Sequence, residues 1–168
     1  MPKLDRQRIL ALNIHPRRFG FLVFEGPTRT LDWGARSMRG KTGDTRVPLG
    51  PKVAKLIVEY APELIVLTEP NTDKSKRSVE KILKHIRTHN KRTRMLSSEA
   101  VKRVFAGRND NKDRIASAVA EQFPELLSIL PPKRRPWQSE DYRMTIFDAA
   151  AVGITYFAEK ALKNPVSP

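Results

Sequence analysis

The sequence predicts an α/β domain built on one mixed sheet, and two patterns predict it. Three apolar runs come first, each closed by turn-forming residues. Further apolar runs then alternate with stretches whose apolar residues recur at helical spacing. The first pattern suits an antiparallel meander, and the second suits strand–helix units whose strands pair in parallel.

Ile9 to Ile14 is the first run, interrupted by Asn13, and Phe19 to Phe24 (FGFLVF) is the second. Leu31 to Ser37 (LDWGARS) is the third and weakest. His15, Pro16, Arg17 and Arg18 fill one gap, and Gly26, Pro27 and Thr28 fill the other, as turns require. Residues 39–51 (RGKTGDTRVPLGP) read as a flexible connection. Val53, Leu56, Ile57 and Tyr60 then mark a helix. Pro62 to Leu67 (PELIVL) is a continuous apolar run of the kind found in buried strands, and it ends at Thr68, Glu69 and Pro70. Val79, Ile82, Leu83 and Ile86 define a helix over Ser78 to Ile86.

Arg94 to Ser97 is expected to form a fifth strand. Ser97 or Ser98 would cap a helix carrying Val101, Val104 and Phe105. Lys112 to Phe123 is a further helix stopped near Pro124, Pro131 to Pro136 (PPKRRP) a basic, proline-stiffened loop, and Asp141 to Leu162 a long Ala-rich helix. The expectation is a five-stranded mixed sheet flanked by helices, in a single domain over 1–162 with a frayed tail over 163–168.

Composition narrows the function. The 168 residues are 39% hydrophobic, enough for a sizeable core. Lys and Arg number 32 against 18 Asp and Glu, a formal net charge of +14. No core needs that excess, so it faces something anionic, with nucleic acid the first candidate and an acidic membrane the second. No apolar run approaches the ~18 residues that would span a bilayer. The N-terminal stretch reads as a strand and not as a signal peptide. No membrane partner is expected, and a cytoplasmic location fits. The absence of cysteine excludes a disulfide framework, a thiolate metal site and a cysteine nucleophile.

Three residues stand out as chemistry-bearing. Glu69 follows the end of a strand expected to be central, where α/β folds place functional groups. Asp148 sits within the apolar segment IFDAAAVGITYF, and a carboxylate buried on a helix is costly unless paired or metal-bound. A salt bridge to one of the many arginines is the plain structural alternative. Asn13 and His15 share one face of the first strand, because side chains alternate there.

The order of these segments resembles the RuvC-type Holliday junction resolvases of the RNase H-like superfamily, from about residue 7 to 160. That family opens with a strand carrying a catalytic Asp, followed seven positions later by the Gly that begins the next strand; here Asn13 precedes Gly20 by that interval. Glu69 matches the Glu ending the fourth strand. Asp148, in DAAAVGITY, matches the second of two late Asp residues three apart. GRNDNKDRIASAVAE resembles the Gly-rich stretch, Lys and helix that follow the fifth strand, which places Lys112 on the family's basic residue. The resemblance implies an RNase H-like sheet, phosphodiester hydrolysis with Mg²⁺ or Mn²⁺, Glu69 and Asp148 as metal ligands, and Lys112 near a backbone phosphate. Branched or structured DNA as partner, and a homodimer that cuts two symmetric strands, follow from the same likeness.

The acidic set is altered. Asn13 stands where the first Asp is expected, with His15 competing for that position in an Ile-x-Pro context, and Thr145 stands where the other late Asp would be. Glu140 and Asp141 lie upstream and would substitute only if the last helix starts late enough to turn them inward. Asp32 on the third strand is a weaker substitute, and exposure is its expected state.

Cations crowd one stretch: from Lys74 to Arg103 there are eleven Lys or Arg. Lys81, Lys84, Arg87 and Lys91 fall near one helix face opposite the apolar stripe, and Arg92 follows. These residues are expected to contact phosphates, which gives affinity without sequence preference. His85 and His89, four apart but without an accompanying acid, do not form a metal motif and are expected near phosphate. Lys133, Arg134 and Arg135 form a second cluster. Trp137 beside it is expected to pack beneath the loop, with stacking on an unpaired base as the alternative. Two functions remain open from sequence: a metal-dependent, structure-selective endonuclease, or a catalytically inactive nucleic-acid-binding protein on the same fold.

Overall fold

A computed structural model describes residues 5–40, 46–105 and 111–163. The apolar run Arg8–Ile14 forms β1, the centre of a five-stranded sheet. β1 pairs antiparallel with β2 (Arg18–Glu25), which pairs antiparallel with β3 (Thr30–Ser37). On its other side β1 pairs in parallel with β4 (Leu64–Thr68), and β4 with β5 (Arg92–Leu96). The order β3-β2-β1-β4-β5 is the expected meander followed by parallel strands.

Alternation along β1 divides the core between two faces. Leu10, Leu12 and Ile14 pack with Val53, Leu56 and Ile57 of α1 (Leu49–Tyr60) and with Val79, Ile82 and Ile86 of α2 (Asp73–Thr88). Ile9 and Ala11 pack on the opposite face. That face is covered by α3 (Ser98–Val104), α4 (Lys112–Gln122), a 3-10 turn (Pro124–Ile129) and α5 (Met144–Lys163). α5 is buried at Met144–Phe147 and again at Ala149–Phe157. Its first turn lies directly on β2 at Gly20, where a Cβ would come 2.2 Å from the Thr145 carbonyl oxygen. Only glycine permits that approach.

Helix starts differ from the expectations. α1 begins at Leu49, earlier than Val53, taking in Gly50 and Pro51; proline is tolerated in a first turn because its missing N–H has no helical partner there. α2 begins at Asp73 because the Thr72 side chain accepts from the Ser75 N–H and caps it. α5 begins at Met144, not Asp141, because the Asp141 carboxylate accepts from the Arg143 N–H and pairs with its guanidinium at 2.7 Å. β5 begins at Arg92, two residues early. Lys163, assigned above to the frayed tail, is the last residue of α5, and residues 164–168 lie outside the described residues. So do 41–45 of the expected connection and 107–110 of the Gly-rich stretch. Among the described residues no helix is long and apolar enough to cross a membrane.

Candidate active site

The parallel strands β1 and β4 end side by side, and the candidate residues gather there. Asn13 is the penultimate residue of β1, and His15 follows the strand, both on the face covered by α5. The Asn13 amide nitrogen donates to Thr68 Oγ1 at 3.3 Å, which pins the side chain against the end of β4. Glu69 comes next, its N–H donating to the Leu96 carbonyl at 2.9 Å while its side chain is exposed. Asp148 lies one turn into α5, and Lys112 opens α4. Together with Asn71, Ser75, Ser98 and Lys102 these residues line one cleft of about 220 Å³.

Hydrogen-bond accounting singles this cleft out. Among the described residues, three buried side-chain atoms lack a hydrogen-bond partner: Asn13 Oδ1, His15 Nε2 and Asp148 Oδ2. All three belong to residues lining the cleft. Leaving such a group unpaired costs about 1–3 kcal/mol, so native proteins seldom leave one without purpose. Asp148 Oδ2 has an ionic neighbour, Lys112 Nζ at 3.5 Å, and the same ammonium lies 3.2 Å from Glu140 Oε1. A carboxylate, an ammonium and a second carboxylate thus stand in a row at the rim.

Protonation follows from that arrangement. Burial pushes the Asp148 carboxyl up to about 6, against the pull of Lys112 and with a further push from Glu140. Burial works against the charged form of Lys112, but Asp148 and Glu140 outweigh it and hold the ammonium above its ordinary value. His15 is held below its ordinary value by burial and then by Arg18 and Lys112, which keeps its ring neutral at pH 7.

Asn13, Glu69, Asp148 and Lys112 therefore share one cleft. The position of the missing late acid and the residues considered as substitutes are engaged in other contacts. Thr145 is buried, and its hydroxyl donates to the Tyr142 carbonyl at 2.7 Å. Glu140 reaches Lys112, and Asp141 is held by Arg143. Asp32 is half-buried, accepting a hydrogen bond from the Tyr60 hydroxyl at the opposite end of the sheet.

The basic residues spread widely. Lys81 and Lys84 edge a hollow with His85, whose ring packs on Gly50 so closely that a Cβ there would come within 2.2 Å of it. Arg87 is exposed farther along α2. Lys91 and Arg92 lie at the start of β5, where Arg92 pairs with Leu64, at the end of the sheet away from the cleft. Lys133, Arg134 and Arg135 are exposed, and Arg134 lines a small hollow shared with Lys112 and Glu140. Trp137 is 76% exposed and not packed beneath the loop. A turn holds it outward: the Gln138 N–H donates to the Arg135 carbonyl, and the Arg135 N–H donates to Gln138 Oε1. The Arg135 guanidinium lies 5.6 Å from the Trp137 ring.

One cationic feature escaped the sequence reading. Arg17, Arg18, Arg39, Arg46, Lys74, Arg77 and Lys81 line a single groove of about 760 Å³ with no acidic residue among its lining. The spacing of 74, 77 and 81, which puts three cations on one helix face, was the available signal. The other four arginines come from two further segments, the turn after β1 and the stretch after β3, and carry no joint pattern.

No family model matches the sequence, and no curated protein matches it. Solved structures do match. The chain is similar to RuvC of Thermus thermophilus, at 14% identity and a TM-score of 0.64, over 91% of this chain and 95% of that one. It is similar to the same protein in complex with a Holliday junction substrate, at 14% identity and a TM-score of 0.66, over 96% and 99% of the two chains. The yeast mitochondrial Holliday junction resolvase matches at 11% identity and a TM-score of 0.61, over 96% and 85%. The chain has the RuvC-like form of the RNase H-like fold.

Proposed function

We propose that the protein binds branched or structured DNA and hydrolyses a phosphodiester in the cleft between β1, β4 and α5. The observation that carries this reading is the gathering of three orphaned polar atoms, on Asn13, His15 and Asp148, in that one cleft. An abandoned site would be free to close its hydrogen bonds internally; this one keeps acceptors without donors. The similarity to a resolvase solved with its junction supports DNA as the ligand.

A divalent cation is the group the resemblance implies, and the donors suit one such ion. Asn13 Oδ1, Asp148 Oδ2 and the Glu69 carboxylate are oxygen ligands, and Mg²⁺ is commonly held by one or two carboxylates with water completing its shell. Among the described residues no group of three His, Cys, Asp or Glu side chains is placed to hold a metal, so the candidate set rests on two carboxylates and the Asn13 amide oxygen. A bound cation would supply charge stabilisation at the scissile phosphate.

The chain's own residues supply the rest. Lys112, with its charge reinforced by two carboxylates, neutralises a backbone phosphate at the rim. Neutral His15 presents a buried Nε2 that can accept a proton from an attacking water or hydrogen-bond a phosphate oxygen. Thr68 fixes the Asn13 amide so that its oxygen faces the cleft. A homodimer, implied for paired cuts, belongs to the same proposal.

The second reading, binding without hydrolysis, is favoured by the neutral Asn13 and by the committed hydroxyl of Thr145. One experiment separates the two. Wild type, Asn13→Asp and Glu69→Gln are assayed with Mg²⁺ and Mn²⁺ on four-way junctions, flaps, duplex and single strands, alongside calorimetric metal titration. The nuclease reading expects cleavage that rises with Asn13→Asp, together with metal affinity, and is abolished by Glu69→Gln. Binding of the DNA with no cleavage by wild type or Asn13→Asp establishes the second reading.

A further inference from the structure

The cationic groove and the cleft lie at the same end of the sheet, the groove mainly on the opposite face, with Arg18 between the two and its charge felt by His15 and Asp141. Cleft residues Asn13, Asp148 and Val152 belong to the side covered by α5. The groove is floored by Met38 and Ser78, on the side covered by α1 and α2. The first turns of α2 divide the two, with Asn71 and Ser75 toward the cleft and Lys74 and Arg77 toward the groove. This divider is tied down: Ser78 Oγ donates to the Pro16 carbonyl at 3.3 Å, fixing α2 to the turn between β1 and β2. Among the described residues none of the groove's seven cations forms an ion pair, and no acidic residue lines the groove.

We infer that this groove is a second phosphate-backbone site, which receives one arm of a branched nucleic acid while another arm occupies the cleft. The inference rests on the proposed DNA-binding function and deepens it. Seven cations lining a groove with no acid among the lining suit a polyanion, not a small neutral ligand. Duplex DNA is stiff, with a persistence length of about 150 base pairs, so a straight duplex cannot follow both faces of a sheet around its edge. A ligand whose arms diverge at a branch point over the start of α2 reaches both. Selectivity for branched DNA then arises from the placement of two tracks, without base contacts.

The test compares a four-way junction with a linear duplex of equal length, by anisotropy titration in EDTA at several salt concentrations. Wild type is set against Arg17→Glu/Arg77→Glu/Lys81→Glu. The expected result is wild-type preference for the junction and a loss of about tenfold or more on the junction in the variant. Its salt slope should fall by about 2–3, at roughly 0.9 for each phosphate that is no longer neutralised. Duplex affinity should fall much less, so that the preference disappears. Arg17→Gln/Arg77→Gln/Lys81→Gln, which adds no negative charge, should show a smaller loss of the same kind and decides the matter if the reversal variant fails to fold. An equal proportional loss on junction and duplex overturns the inference, as does no loss or a wild type without junction preference. A wild type that binds neither DNA overturns the proposed function instead.

Discussion

The two ends of the sheet treat their polar groups in opposite ways. At the end where β1 begins, the network is closed. Arg8 pairs with Glu25 and donates to the Tyr60 carbonyl, each at 2.8 Å. The Tyr156 hydroxyl donates to Gln7 Oε1 at 2.9 Å, Lys160 pairs with Asp5 at 3.0 Å, and Arg94 pairs with Glu159 at 2.7 Å. At the end where β1 finishes, Asn13, His15 and Asp148 are left incomplete, and the described lining of the nearby groove has seven cations and no acid. The same strands and the same helix α5 connect both ends, so the difference is not one of fold. One end closes its polar contacts within the chain; the other leaves them open, as the proposed DNA-binding function requires.

The largest break in this contrast should come from Gly20→Ala. A Cβ 2.2 Å from the Thr145 carbonyl would drive the first turn of α5 off β2. Urea unfolding should show a loss of about 3 kcal/mol, typical of severe overpacking, and metal binding in the cleft should go with it. Retained stability would mean that α5 can shift without cost.

Asp148→Asn should act in the opposite direction. The folded-state carboxyl titrates at about 6, above its ordinary 3.8, so the folded chain holds that proton more tightly than the unfolded chain. Its contribution is therefore fullest below the unfolded value and is lost as pH rises from about 4 to about 6. Removing the acid should stabilise the protein by about 2 kcal/mol at pH 7.5 and by nothing comparable at pH 4. Thermal melts across that range check it, with cleavage and metal affinity falling as stability rises. A destabilised variant at neutral pH would mean that the Lys112 pair outweighs the burial cost.

At the closed end, Tyr156→Phe should produce the smallest effect, a loss of about 1 kcal/mol for one hydrogen bond. Between pH 5 and 8 that loss should be flat, unlike the Asp148 effect. The two pH profiles, measured side by side by chemical denaturation, sharpen the distinction between the ends.

How far the sequence was legible depends on how local each signal is. β1, β2 and β4 announced themselves because both their faces are buried and their runs are almost wholly apolar. The start of the edge strand β5 is silent in the sequence because Arg92 and Thr93 are exposed and carry no apolar mark. α2 starts before its apolar stripe for a similar reason: its first turn, Asp73 to Lys76, is polar, and only the Thr72 cap betrays it. Asn13, Glu69 and Asp148 were each visible as a local anomaly, an amide or an acid where apolar residues or a strand end were expected. That Lys112 bridges Asp148 to Glu140 depends on where α5 starts, which the Asp141–Arg143 pairing decides. The groove was illegible because its seven cations come from the turn after β1, the segment after β3 and α2, distant pieces joined only by topology.

Asp148 rides on the most deeply buried helix, flanked by Phe147 at 1% exposure and Ala149 at 0%, whereas Glu69 stands exposed just past a strand end. The two acid walls of the cleft should therefore differ in their timescales of motion. Amide hydrogens around Ala149–Phe157 should exchange only when the whole domain opens, while side-chain motion at Glu69 proceeds within the native state. The cleft sets a fixed carboxylate opposite a mobile one, and both stand on backbone that is held in the core.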